Sequence, residues 1–196
     1  MEEPSVIISD QPPLLFVHIP KTAGVSISRA LVEGNTKHPL CIKSKHETAA
    51  AFIARNGPEA FHGRHTFSVV RHPLNRFLSQ YAFMKKHQDK WPQFESLRSP
   101  DDFVDAIERN DTNIIIRIEQ ILPQCAYITL DGAICVDDVL RHEAIESEFR
   151  NFCAKIGLAQ RHLPQANRTN AKLSPSEKVK AFVTHYYAED FRLFGY

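Results

Sequence analysis

Several features are scarce in these 196 residues, and each scarcity removes a class of protein. Glycine occurs seven times and proline 12 times, too few for a collagen-like or low-complexity polymer, while 43% apolar residues is too many for a mostly disordered chain. No run approaches the roughly 20 apolar residues of a membrane span. The opening MEEPSVIISDQPP is acidic and lacks the basic start and apolar stretch of a secretory leader. The four cysteines, Cys41, Cys125, Cys135 and Cys153, form no CxxC pair and no zinc-module spacing, which points to reduced thiols in or near a core. Net charge is nearly absent: 24 Lys+Arg against 23 Asp+Glu leave +1, without the broad basic excess of a generic nucleic-acid binder. What remains is a cytoplasmic, soluble chain folded as one domain over residues 1–196, with 1–13 as a flexible lead. That length buries roughly 70% of the surface its unfolded form exposes.

What is present is a repeated grammar. Leu14 to Ile19 (LLFVHI) is a short apolar run that predicts a buried strand, followed by the turn PKTAG and a helix with Val25, Ile27, Ala30 and Leu31 on its apolar face. Thr66 to Val70 (TFSVV) predicts a second strand that breaks at Arg71-His72-Pro73. A helix follows, in which Leu74, Phe77, Leu78, Tyr81 and Met84 recur at helical spacing. Between them, His46 to Asn56 predicts a helix stopped by Gly57-Pro58. Ser99-Pro100-Asp101-Asp102 and Ser174-Pro175-Ser176-Glu177 each read as N-cap, proline and capping acid at a helix start. Residues 126–130 and 133–136 around Asp131-Gly132 predict a hairpin, and 137–157 a mainly helical stretch. Strands feeding helices through tight turns predict a three-layer α/β fold with a central, mainly parallel sheet flanked by helices. In such sheets, ligands bind beyond the carboxyl ends of the strands, where both polar turns would lie.

The first turn combines Lys21, Thr22 and Ser26 with the small residues Ala23 and Gly24 and with Val25 at a helix start, a set suited to cradling an anion. It is not a Walker A loop, because GxxxxGK[ST] is absent, and this weighs against a kinase or nucleotide hydrolase. Alone, the segment fits an ordinary α/β turn with a surface lysine equally well. The second turn puts Arg71 at a strand end and Ser79 eight residues later, where guanidinium and hydroxyl donors can meet one phosphate. Its bland counterpart has Arg71 closing the sheet edge, with Arg76 and Ser79 solvated.

Together the two segments resemble the sulfotransferase family that uses 3′-phosphoadenosine 5′-phosphosulfate (PAPS). FVHIPKTAGVSI looks like its 5′-phosphosulfate loop, and FSVVRHPLNRFLSQY looks like its 3′-phosphate motif. KHETAAAFI, VDDVLRHEAIESEF (as a later acidic helix), LPQANRT and YYAEDFRLFGY extend the likeness over nearly all the chain from residue 14, nearest the glycan sulfotransferases and their small bacterial relatives. The resemblance implies a P-loop-like fold and metal-independent in-line transfer of a sulfuryl group to a hydroxyl of a carbohydrate or other polar small molecule. It implies that Lys21 contacts the 5′-phosphate and steadies the leaving group. Thr22, Ala23, Gly24, Val25 and Ser26 would complete that cradle, Arg71 and Ser79 would hold the 3′-phosphate, and Arg168 would reach the donor from a closing loop. A general base is also needed. The candidates are His46, and His62 in the His62-Gly63-Arg64 segment that looks like the His-Gly-His of glycan 2-O-sulfotransferases. A non-catalytic binder of PAP or polyanions that keeps the fold is the alternative function.

Overall fold

The computed structural model describes residues 6–10, 12–32, 40–42, 46–116, 120–158, 163 and 174–196. Two compact units interleave along the chain, one formed by Met1–Arg71 with Gln124–Ala166, the other by His72–Pro123 with Asn167–Tyr196.

The first unit is organised by a five-stranded sheet. Its strands are β1 (Val6–Asp10), β2 (Pro13–Val17), β3 (Leu40–Ile42), β4 (His65–Val70) and β7 (Asp138–Arg141), in the order β3-β1-β2-β4-β7. β2, β4 and β7 run parallel, in registers that include Val17↔Ser68 and Val70↔Arg141, while β1 pairs antiparallel with β2 and β3. The mainly parallel α/β sheet is therefore present, with an antiparallel edge. The flexible lead expected over 1–13 is corrected in part: Val6–Asp10 is a sheet strand, because its β-branched run finds β2 through a reversal between Asp10 and Pro13.

Alternation sorts the strand side chains. Leu14, Phe16, Phe67, Val69 and Leu140 face α1 (Gly24–Val32) and α7 (Ile145–Lys155), which contribute Ile27, Ala30, Phe149 and Phe152 to one buried cluster. Phe67 on β4 lies 4.7 Å from Phe16 on β2 and 4.3 Å from Phe152 on α7 between ring centroids, so the rings join the parallel strands to the helix above them. Leu15, Val17, Ser68 and Val70 are buried on the other face. α2 (Ala49–Asn56), capped by Thr48, and α3 (Pro58–His62) lead into β4. A short helix, α6 (Cys125–Ile128), precedes the two-residue hairpin of β5 (Thr129–Leu130) and β6 (Ala133–Ile134). The hairpin turns on Asp131 and Gly132, both left-handed as the DG pair predicts, but residues 126–128 are helical.

The stretch 137–157 is mainly helical as expected, but it opens on a strand: Asp138–Arg141 is β7, one 3-10 turn (His142–Ala144) follows, and the acidic helix read over VDDVLRHEAIESEF begins only at Ile145 and runs to Lys155. The charged DDVLR run has ordinary helix propensity, but a pairing 71 residues away overrides it. The Thr66 amide and hydroxyl both donate to Asp137 Oδ2, at 2.7 and 2.9 Å, and the Asp137 amide donates back to the Thr66 carbonyl at 3.0 Å. Burial pushes the Asp137 carboxyl up, but the Thr66 bonds, then the charges of His65 and Lys155, outweigh it and hold the group below its ordinary value. A depressed carboxylate stabilises the fold above its unfolded pKa, near 3.9, and that stability is lost as pH falls through the lower folded value. Asp137→Asn is therefore expected to melt lower than wild type at pH 7, with the gap narrowing as pH drops below about 4. Melting curves from pH 7 to pH 3 check this.

The second unit is helical: α4 (Pro73–Lys86), a 3-10 turn (Pro92–Ser96), α5 (Pro100–Glu108), α8 (Glu177–Tyr186) and α9 (Ala188–Phe194). Phe77, Met84, Phe94, Phe103, Val179 and Tyr187 belong to its core, with Tyr186 and Phe191 packed against it. The capping box predicted at Ser99 is present, with both reciprocal bonds to Asp102. At the last capping site the cap is Ser176 rather than Ser174. Its hydroxyl accepts from the Val179 amide and donates to Asp101 Oδ1 on α5 at 2.7 Å, a tertiary bond that selects it. Among the described residues, no disulfide joins Cys125, Cys135 and Cys153, and no helix is long and apolar enough to cross a membrane.

Candidate functional site

Within the first unit, the carboxyl ends of β2, β4 and β7 share one rim, and the residues that follow each strand carry the chemistry. β2 ends at Val17, and the chain turns through Pro20 into α1 at Gly24. Lys21 and Ala23 both adopt left-handed backbone, at φ 68° and 70°. For non-glycine residues each costs about 1 to 3 kcal/mol, and a turn of this kind makes main-chain N–H groups converge on a concavity. The Ile27 amide donates to the Ala23 carbonyl at 3.1 Å, which makes Ala23 the helix cap. The amides of the first turn of α1 then have no acceptor within the helix and present the positive end of its dipole. Lys21 is half-buried beside them, Val25 is half-buried and Ser26 is buried. Thr22 is fully buried and its hydroxyl donates to the Ile19 carbonyl at 2.9 Å, so it closes the turn rather than facing a ligand with that proton.

Gly24 is a glycine for a reason internal to the protein. Its φ is not left-handed, but a Cβ there would stand 1.7 Å from His18 Nε2. The His18 ring, 5% exposed, stacks on Phe16 at 5.5 Å and meets the His46 ring edge-on at 4.7 Å. His46 Nδ1 lies 3.2 Å from the His18 carbonyl. A carbonyl only accepts, so Nδ1 carries the hydrogen, and the neutral tautomer compatible with this bond has its lone pair on Nε2.

At the end of β4, Arg71 Nη1 donates to the Lys21 carbonyl at 3.2 Å, which brings the second predicted cation onto the first turn. His142 follows β7 directly. Burial, and then the charge of Arg71, lower its pKa to about 4 against an opposing Glu143, so it is a neutral imidazole at pH 7. Reading β7 as helix hides this residue in the sequence. Gln124 is hidden too: fully buried, it bonds the main chain of Arg71, and no local pattern marks a contact across 53 residues.

The remaining candidates are carried by other elements. His62 is exposed at the end of α3, ahead of the start of β4, whereas Lys21 and Arg71 follow strand ends. The intervening length of β4 is about 17 Å by strand rise, so His62 belongs to the amino end of the sheet, whereas His46 is bonded to the His18 carbonyl, three residues before Lys21. His65 is engaged with Asp138 at 2.6 Å at that same far end. Ser79 is buried in the second turn of α4, within the second unit. Arg76, expected to be solvated in the bland reading, is 3% exposed, donates to the Leu122 carbonyl at 2.9 Å and lies over the Tyr187 ring. Arg168 lies outside the described residues.

No curated protein and no solved structure matches the chain. The sequence model described as "Sulfotransferase family" matches residues 4–196. That match runs from strand β1 through the two turns to the last helix, and on that extent the chain belongs to the sulfotransferase family.

Proposed function

We propose that this protein transfers a sulfuryl group from PAPS to a hydroxyl of a carbohydrate or another polar small molecule. One observation carries the reading: the Arg71 guanidinium bonds the Lys21 carbonyl of the strained turn at the start of α1, so the two turns that the resemblance assigns to the donor's anionic groups belong to one rim. The residues fit a donor that bears both a phosphosulfate and a separate phosphate. When bound, the donor supplies an activated sulfuryl group on a phosphate leaving oxygen. Lys21 and the first-turn amides of α1 stabilise the charge that grows on that oxygen, a task for preorganised donors in a partly buried site. Arg71 holds the 3′-phosphate with paired N–H donors. Ser79 and Arg168 are assigned to the donor on the motif resemblance. His46 Nε2 takes the proton of the acceptor hydroxyl as its oxygen bonds to sulfur.

Calorimetric titration with PAP, together with transfer from labelled PAPS to a panel of glycans, phenols and small alcohols, tests the assignment. Lys21→Ala is expected to lower turnover about 100-fold while PAP affinity changes little, since the lysine acts mainly on the leaving group. Arg71→Ala is expected to weaken PAP binding at least about tenfold. A folded wild-type protein with no saturable PAP binding would rule the donor out.

A further inference from the structure

Arg71 stands one residue beyond the last paired position of β4, Val70↔Arg141. Its main chain therefore needs partners other than that ladder. The Gln124 side chain supplies both: the Arg71 amide donates to Gln124 Oε1 at 2.8 Å, and Gln124 Nε2 donates to the Arg71 carbonyl at 2.8 Å. Gln124 is fully buried, immediately ahead of α6. A carboxamide is the side-chain group that offers one donor and one acceptor side by side, as a neighbouring strand would. It extends the sheet's bonding by one residue at the point where the arginine leaves it. The guanidinium then reaches the Lys21 carbonyl at 3.2 Å, so a chain of three bonds runs from Gln124 through Arg71 to the anion turn.

We infer that Gln124 is a positioning residue for donor binding, holding the main chain of Arg71 so that its guanidinium is preset toward the donor's 3′-phosphate. The inference rests on the donor reading above and adds to it a residue that touches no ligand. Preorganisation of this kind affects affinity through the arginine alone. Gln124→Met keeps the length and removes both polar atoms, and Gln124→Asn keeps the amide one methylene short.

PAP titrations of wild type, both Gln124 variants, Arg71→Ala and the double variant Arg71→Ala/Gln124→Met decide the matter, with circular dichroism as the check on folding. The expected result is a PAP affinity about 10- to 100-fold weaker in the Gln124 variants, a raised donor KM, and a kcat close to wild type. The double variant should bind no worse than Arg71→Ala, because Gln124 has nothing left to aim. A merely structural role makes the losses add. Wild-type binding in a folded Gln124 variant, additive losses in the double variant, or failure of both single variants to fold each overturns the inference while the donor reading stands. Absence of PAP binding in wild type overturns both.

Discussion

Gly24→Ala is expected to lower the melting temperature by about 6 to 12 °C and to abolish measurable donor binding. The added methyl has nowhere to go: its carbon would sit 1.7 Å from His18 Nε2 and 1.9 Å from Cδ2. A ring end can usually swing aside, but this one is 5% exposed and held between Phe16 and His46. Overpacking of this kind costs about 3 kcal/mol, and a chain of this length loses about 2 to 4 °C per kcal/mol. The damage reaches function because His18 sits between β2 and the turn that carries Lys21, and its carbonyl holds His46. Combining His18→Ala with Gly24→Ala tests the steric cause directly. Each change alone destabilises, one by overpacking and the other by opening a cavity, while the double variant fits a methyl into the space the imidazole leaves. Its melting temperature should exceed the value expected from summing the two losses by the equivalent of about 1 to 3 kcal/mol. Strict additivity would mean that the clash with His18 is not what requires a glycine at position 24.

The parts of this site that follow from local pattern were legible, and the parts that follow from long-range pairing were not. LLFV and FSVV are continuous apolar runs, as strands buried on both faces must be, and each passes directly into a turn whose polar content is visible in the chain. The capping box at Ser99 is likewise written within a few residues, whereas the left-handed backbone of Lys21 and Ala23 carries no signal in those residue types. β7 is different. Its four residues carry an aspartate and an arginine, and what makes them a strand is the exchange between Thr66 and Asp137 and the parallel register with β4. Losing β7 meant losing His142, which is placed by the strand's end. Gln124 has no periodicity or motif of its own, and its meaning comes only from the main chain it meets. Gly24 was legible as a small residue of an anion-cradling turn, but the group that requires a glycine there is His18 of the same chain.

His46→Ala is expected to reduce turnover about 100- to 10,000-fold, the range for removal of a general base, while PAP affinity stays close to wild type. The sequence offered His46 and His62 on equal terms, and strand direction separates them. β2 and β4 run parallel with Leu14 opposite His65, so a residue three places before His65 belongs to the amino end of the sheet, away from the Lys21 turn. His46 is tied to the carboxyl end by its Nδ1 bond to the His18 carbonyl. That bond also fixes the tautomer, which makes a prediction finer than loss of rate. The wild-type profile of kcat/KM against pH should fall on its acid side, because a protonated imidazole has no lone pair on Nε2 for the acceptor proton. In His46→Ala the residual rate should lose that acid limb, and added imidazole should restore part of it. His46→Gln keeps a hydrogen-bonding side chain but no base, and should be as slow as alanine. His62→Ala, altering an exposed ring that touches Phe61, should leave both the rate and the profile unchanged. A retained acid limb in His46→Ala, or its loss in His62→Ala, would move the base to another residue of the rim, with the neutral His142 beside Arg71 as the next to replace.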